Sequence, residues 1–238
     1  MAKKDSSSEA FAIMEYERGV LVEHTESGLL FMIFGILLST VPIIAPVGIL
    51  FCLIGITLLV LGREPFGKRY STSVMIAAAV FIVGTGFVLV GSILYSLLVF
   101  SIPGPAEPPF WWGDIALAQA LVPHLTSILA IEATGAILTG IALAMFTFFL
   151  QKLRGRLLLV VAVSTSVAIS ILVFFVLSFD VTNPLISGQP SLLSAYQGGW
   201  NWDAAWAFEH QVLVVSLLNV IPAIIYAAAY YSAYSHLE

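Results

Sequence analysis

The sequence predicts an all-α, polytopic membrane helix bundle of six transmembrane helices with both termini cytoplasmic. Three observations lead there: too few charges to cover a water-facing surface, six long apolar stretches, and basic residues confined to alternate connecting segments. Of the 238 residues, 60% are hydrophobic and 10% are charged, and the mean hydropathy is +1.02. Soluble domains are about 45–50% apolar and about 25% charged, so the excess apolar surface must face lipid. The same figures exclude a disordered chain. A net charge of −5 excludes a basic nucleic-acid binder, and Cys52, the single cysteine, lies in an apolar run and excludes a disulfide-stapled domain.

Crossing a hydrocarbon core of about 30 Å takes about 20 apolar residues in a helix, because every backbone group in lipid must be paired within the segment. Six stretches qualify, at 28–41, 46–61, 74–100, 121–150, 157–179 and 206–231. The first two are short and are separated by Pro42 to Pro46, where prolines remove backbone donors and disfavour helix just before them. They read as a tight helical hairpin, or alternatively as a re-entrant pair that does not span. Residues 1–27 form an expected cytoplasmic N-terminal segment without a signal-peptide core; Ser6 and Glu9 have capping-box spacing, and Phe11, Met14, Tyr16, Val20 and Leu21 suit a short amphipathic helix. The transmembrane domain spans 28–231 with outer loops at 101–120 and 180–205, and 232–238 is a tail whose Leu237 and Glu238 resemble a tag-derived remnant.

Orientation follows from the excess of Lys and Arg in short cytoplasmic loops. Lys3, Lys4 and Arg18 precede the first stretch; Arg63, Lys68 and Arg69 lie between the second and third; Lys152, Arg154 and Arg156 lie between the fourth and fifth. The two outer loops carry none. Trp111, Trp112, Trp200, Trp202 and Trp206 fall in or beside those loops, and Tyr226, Tyr230, Tyr231 and Tyr234 mark the opposite end of the last stretch, as interfacial aromatic rings do. The expected location is the cell membrane, crossed several times.

Glycines supply a packing code. Gly28 and Gly35, and then Gly48, Gly55 and Gly62, recur every seven residues, which gives each of the first two helices a small-residue stripe. Helices in lipid associate by close van der Waals approach, which such stripes permit. The stripe of the second helix is expected to pack on the first, or on another copy of the chain or another membrane subunit. Gly84, Gly86 and Gly91 play the same part in the third helix. Gly62-Arg63, Phe66-Gly67 and Arg69, following this hairpin, resemble a stretch found in poorly characterised archaeal multi-pass membrane proteins of unknown function. The resemblance covers about sixty residues and implies no activity.

The chemistry-bearing residues gather toward the outer side. Counting back from Leu150 places Glu132 just inside the outer hydrocarbon boundary, with His124 two turns further out; Glu209 and His210 fall at the outer interface, Asp180 ends the fifth helix, and Asp114 and Asp203 lie in the loops. An ionised carboxylate in hydrocarbon is expensive, so it faces the bundle interior, pairs, or takes up a proton. Glu132 has no Lys or Arg on its side, which leaves His124, His210, a cation, a proton or water as partners. His124 and Glu132 are eight residues apart, about 12 Å along a helix, so they cannot ligate one metal directly. A transition metal would need Glu209, His210 or Asp180 as well, and His124 with His210 would suit a haem; no H-E-x-x-H or C-x-x-C spacing supports either. Asn219 and Pro222 form a candidate helix break, since Pro222 leaves the Leu218 carbonyl without its usual partner, and broken helices coordinate ions in many transporters. Trp111, Trp112, Trp200 and Trp202 are candidates for an outer lid.

Three functional classes remain: a small ion, proton or solute transporter or channel; a non-catalytic subunit of a membrane complex, respiratory with haem or a metal among the options; and an intramembrane enzyme. No nucleotide loop, protease pair or phosphotransfer signature appears, so an enzyme is the least supported. The two halves of the chain do not match as inverted repeats.

Overall fold

The computed structural model describes residues 5–41, 44–101, 115–187 and 217–237. They form α1 (Asp5–Leu38), α2 (Ala45–Leu61), a 3-10 turn (Glu64–Phe66), α3 (Lys68–Ser101), α4 (Ile115–Thr147), α5 (Leu153–Ser187) and α6 (Val220–Tyr234), with no strand among the described residues. Four segments are long and apolar enough to cross a membrane: Ile13–Leu38, Lys68–Leu94, Thr126–Thr147 and Leu153–Phe175. The apolar helices α2 and α6 are shorter; the 17 residues of α2 rise about 26 Å at about 1.5 Å each. Leu50, Ile82, Ile93, Leu157, Val160, Phe175 and Ile224 are each more than half exposed, a density of apolar surface that water does not tolerate and lipid does. The chain is an integral membrane protein built as a helix bundle.

Several boundaries differ from those read off the sequence. Residues 5–27 and most of the first apolar stretch share one continuous helix, because no proline or glycine pair interrupts Asp5–Leu38. α4 begins at Ile115 and α5 runs on past Asp180 to Ser187, so 115–120 and 180–187, expected in the outer loops, are helical. Asp180 therefore lies within α5 rather than at its end: Pro184 lacks an N–H but does not stop the helix, and a single proline in a long helix commonly bends it instead.

The helices resolve into two compact units, one of Met1–Phe81, Ile141–Ser164 and Val220–Glu238, the other of Ile82–Gly140 and Thr165–Asn219. In the first unit, α1 and α2 form an antiparallel hairpin joined by the Pro42 region, with Pro46 in the first turn of α2, where its missing N–H costs nothing. The glycine stripes meet face to face. A Cβ added to Gly35 would lie 2.7 Å from the Cys52 backbone nitrogen and 2.8 Å from the Gly48 carbonyl, and one on Gly55 would lie 2.8 Å from the Gly28 carbonyl. Thr25 Oγ1 donates 2.9 Å to the carbonyl of Gly62, closing the far end of the hairpin. The chain then turns through Gly67, whose φ of 87° favours glycine.

Around this hairpin the core collects Leu29, Met32, Leu59, Tyr70, Val74, Phe146, Leu159 and Tyr230, all almost fully buried. Polar side chains tie the helices at backbone carbonyls: Ser73 Oγ donates to Met145 at 2.9 Å and Tyr230 Oη to Leu143 at 2.7 Å. Gln151, buried in the short link between α4 and α5, donates through Nε2 to the Ala229 carbonyl at 2.5 Å. Gly155 makes this possible, since a Cβ there would occupy the place of Gln151 Oε1.

In the second unit the same device joins α3 to α4. A Cβ on Gly135 would lie 2.6 Å from the Gly84 carbonyl and 2.8 Å from the Val88 nitrogen. This backbone contact sets the antiparallel register of the two helices, and the register decides what faces Glu132.

Candidate functional site around Glu132

One turn along α3 from the Gly84 contact lie Val88 and then Gly91-Ser92, opposite Glu132 of α4. The Glu132 side chain crosses α3 at Gly91, where any Cβ would collide with its Cγ. Because Gly91 has no side chain, the carboxylate comes within reach of the next residue, and Ser92 Oγ donates to Glu132 Oε1 at 3.0 Å. The pair is made by packing between residues forty positions apart.

Glu132 and Ser92 open onto a cavity of about 220 Å³. At about 30 Å³ per molecule in the liquid, that is room for several waters or a partly hydrated ion. Its remaining lining is Val88, Leu129, Ala133, Ala136, Ser170, Val173, Phe174 and Asn219, all from the second unit. Among the described residues the polar groups are thus one carboxylate, two serine hydroxyls and one carboxamide, set in apolar and aromatic walls. Ser170 is 8% exposed, while Glu132 is partly buried and Ser92 and Asn219 are more open. Among the described residues no Lys, Arg, His or Cys lines the cavity.

Asn219 stands at an interruption of the helix. Leu217 and Leu218 are helical, Asn219 is a turn residue, and the helix resumes at Val220. Pro222, buried three residues on, has no N–H to offer the carbonyl of Leu218, which so lacks its usual helical donor.

The remaining expected site residues are distributed otherwise. His124 lies on α4, exposed, two turns from Glu132, and is not among the residues lining the cavity. Asp180 lies on α5 ten residues beyond Ser170, about 15 Å along the helix. Glu209, His210, Trp111, Trp112, Trp200 and Trp202 lie outside the described residues. Among the described residues no three His, Cys, Asp or Glu side chains come together as a metal cluster.

Sequence reading passed over Ser92, Ser170 and Phe174 as site residues, and took Gly91 only as a packing residue. One signal was there: Gly91-Ser92 couples a residue that permits close approach with a short hydroxyl donor, which is what an intramembrane acid on a neighbouring helix requires. No family model, curated protein or solved structure matches the chain.

Proposed function

We propose that this integral membrane protein is a small transporter or channel that moves a proton, an ion or a small solute through a site centred on Glu132. One observation carries the reading: an acidic side chain in a candidate membrane-spanning helix faces a polar-floored cavity and a hydroxyl donor rather than a basic partner. Intramembrane carboxylates are costly to keep, and they mark ion pathways and proton relays when they face a cavity. The helix interruption at Asn219 beside the same cavity is the arrangement by which broken helices present carbonyls to ions in many transporters.

The topology proposed with this function has six spans, both termini cytoplasmic and the Glu132 cavity accessible from the outer side. The charge distribution supports it: all nine Lys and Arg fall within the ranges of the first unit, and none within the second. His124, Asp180, Glu209 and His210 are proposed to line the outer approach, with Trp111, Trp112, Trp200 and Trp202 over its mouth.

The test is flux in proteoliposomes for the parent chain and for Glu132→Gln, which keeps the side-chain shape and removes the charge. Flux in the parent across common ions or pH gradients, lost in Glu132→Gln with the folded yield unchanged, supports the proposal. Flux no greater than that of empty liposomes, or flux that Glu132→Gln leaves intact, overturns it and favours a non-catalytic subunit of a larger membrane complex.

A further inference from the structure

Resting on the reading just given, we propose that the cavity bounded by Glu132, Ser92, Ser170 and Asn219 binds one monovalent hard cation of the sodium class. Donor chemistry comes first. Among the described residues the polar side chains lining the cavity are a carboxylate, two hydroxyls and a carboxamide, and the carbonyl of Leu218, denied its usual helical donor by Pro222, lies next to Asn219 in the chain. An oxygen donor set of this kind suits hard cations, whereas copper, zinc and iron sites draw on imidazole or thiolate. Among the described residues the cavity lining contains neither.

Charge selects among the hard cations. Glu132 supplies a single negative charge, and Val88, Leu129, Val173 and Phe174 make the walls apolar. One carboxylate neutralises one positive charge. A divalent ion would leave a net charge among those walls, where uncompensated charge is expensive, and calcium sites commonly gather several carboxylates. The wider surroundings point the same way. The ranges 82–140 and 165–219 contain six acidic residues, Glu107, Asp114, Glu132, Asp180, Asp203 and Glu209, and no Lys or Arg. The carboxylate of Glu132 therefore has no lysine or arginine partner in its own unit, and a field of this sign concentrates cations.

Geometry sets the remaining requirement. Glu132 is held by Ser92 through one oxygen, Oε1, and Gly91 keeps the space into which its stem folds. The hydroxyl that donates to Glu132 Oε1 keeps lone pairs with which it can accept from water or coordinate an ion. Gly91 and Ser92 are thus positioning residues for the ion site.

The experiment measures thermal unfolding of the purified full chain in detergent at constant ionic strength, replacing choline chloride by sodium chloride, potassium chloride or calcium chloride. Sodium should raise the midpoint saturably relative to choline, and equilibrium dialysis with radioactive sodium should give one ion per chain. Glu132→Gln and Ser92→Ala should each lower sodium affinity by at least tenfold, whereas Gly86→Ala, at a position with nothing within 4 Å of an added Cβ, should leave it unchanged. Equal midpoints in sodium and choline, a larger saturable shift with calcium, or a sodium response retained in Glu132→Gln would each overturn the cation assignment. If sodium has no effect while Glu132→Gln still abolishes proton flux, the cation assignment fails and the transport reading survives; if both fail, the transport reading falls too.

Discussion

Replacing Gly35 by alanine adds one methyl group at the closest point of the α1–α2 hairpin, and its consequence can be worked out from the contacts there. The new Cβ would lie 2.7 Å from the Cys52 nitrogen, 2.8 Å from the Gly48 carbonyl and 2.6 Å from Cys52 Sγ. The first two are backbone atoms, which no rotamer change can move. Ordinary contact begins near 3.4 Å, so the helices must part by roughly 0.7 Å at this level. The movement would also loosen the Gly28–Gly55 contact and strain the Thr25–Gly62 hydrogen bond. Overpacking of this kind costs about 1–3 kcal/mol. Against it stands the better helix propensity of alanine, at most about 1 kcal/mol, and less where the unfolded reference in detergent stays helical. The net expectation is destabilisation of about 1–2 kcal/mol. Gly86→Ala makes the same chemical change where nothing lies within 4 Å, so it should be neutral or stabilising by up to about 1 kcal/mol. Unfolding in mixed micelles by increasing fractions of denaturing detergent, followed by circular dichroism and tryptophan fluorescence, compares the two. If Gly35→Ala is as stable as Gly86→Ala, the glycine stripe does not set the helix separation and the packing argument is refuted.

Three further outcomes are expected. Tyr230→Phe removes the hydrogen bond to Leu143 and should cost about 1 kcal/mol, whereas Tyr70→Phe removes a buried hydroxyl that has no hydrogen-bond partner among the described residues and should be neutral or stabilising; the same micelle titration reads both, and a larger loss for Tyr70→Phe would contradict the buried geometry. Gly155→Ala should expel the Gln151 side chain from its place against α6 and cost about as much as Gln151→Ala, with the double variant no worse than either, since both break one bond; additive losses would count against this. Cys52 is 5% exposed and should not react with maleimide in the folded protein, so single cysteines at Lys68, Arg154 and Gln197 can report topology in sealed cells without replacing it. Under the proposed six-span arrangement only the cysteine at position 197 reacts with an impermeant reagent, and labelling of positions 68 and 197 from the same side would sink that arrangement.

Composition and hydropathy alone were enough to announce a membrane helix bundle, because lipid imposes a rule that acts on local sequence: an apolar run must be helical to pair its own backbone. The glycine stripes were legible for a similar reason, since a seven-residue spacing places small residues on one face whatever that face meets. What it meets was open between α1 and a second copy, and the hairpin decided it by pairing Gly28 with Gly55 and Gly35 with Gly48. Sequence also singled out Glu132 as an acid in apolar surroundings. It left His124, His210, a cation, a proton or water open as partners, and packing adds one that no single segment shows, Ser92. Along one helix, eight residues separate His124 from Glu132 by about 12 Å. Across two helices, the Gly84–Gly135 contact and the bare backbone at Gly91 bring a serine forty positions away to 3.0 Å. Gln151 makes the same point: it stands beside the basic residues Lys152, Arg154 and Arg156, yet Gly155 and the Ala229 carbonyl hold it buried. Periodicity and transfer energy are properties of a single segment and can be read along the chain. Register between segments depends on which small residues meet, and that exists only once the helices pack.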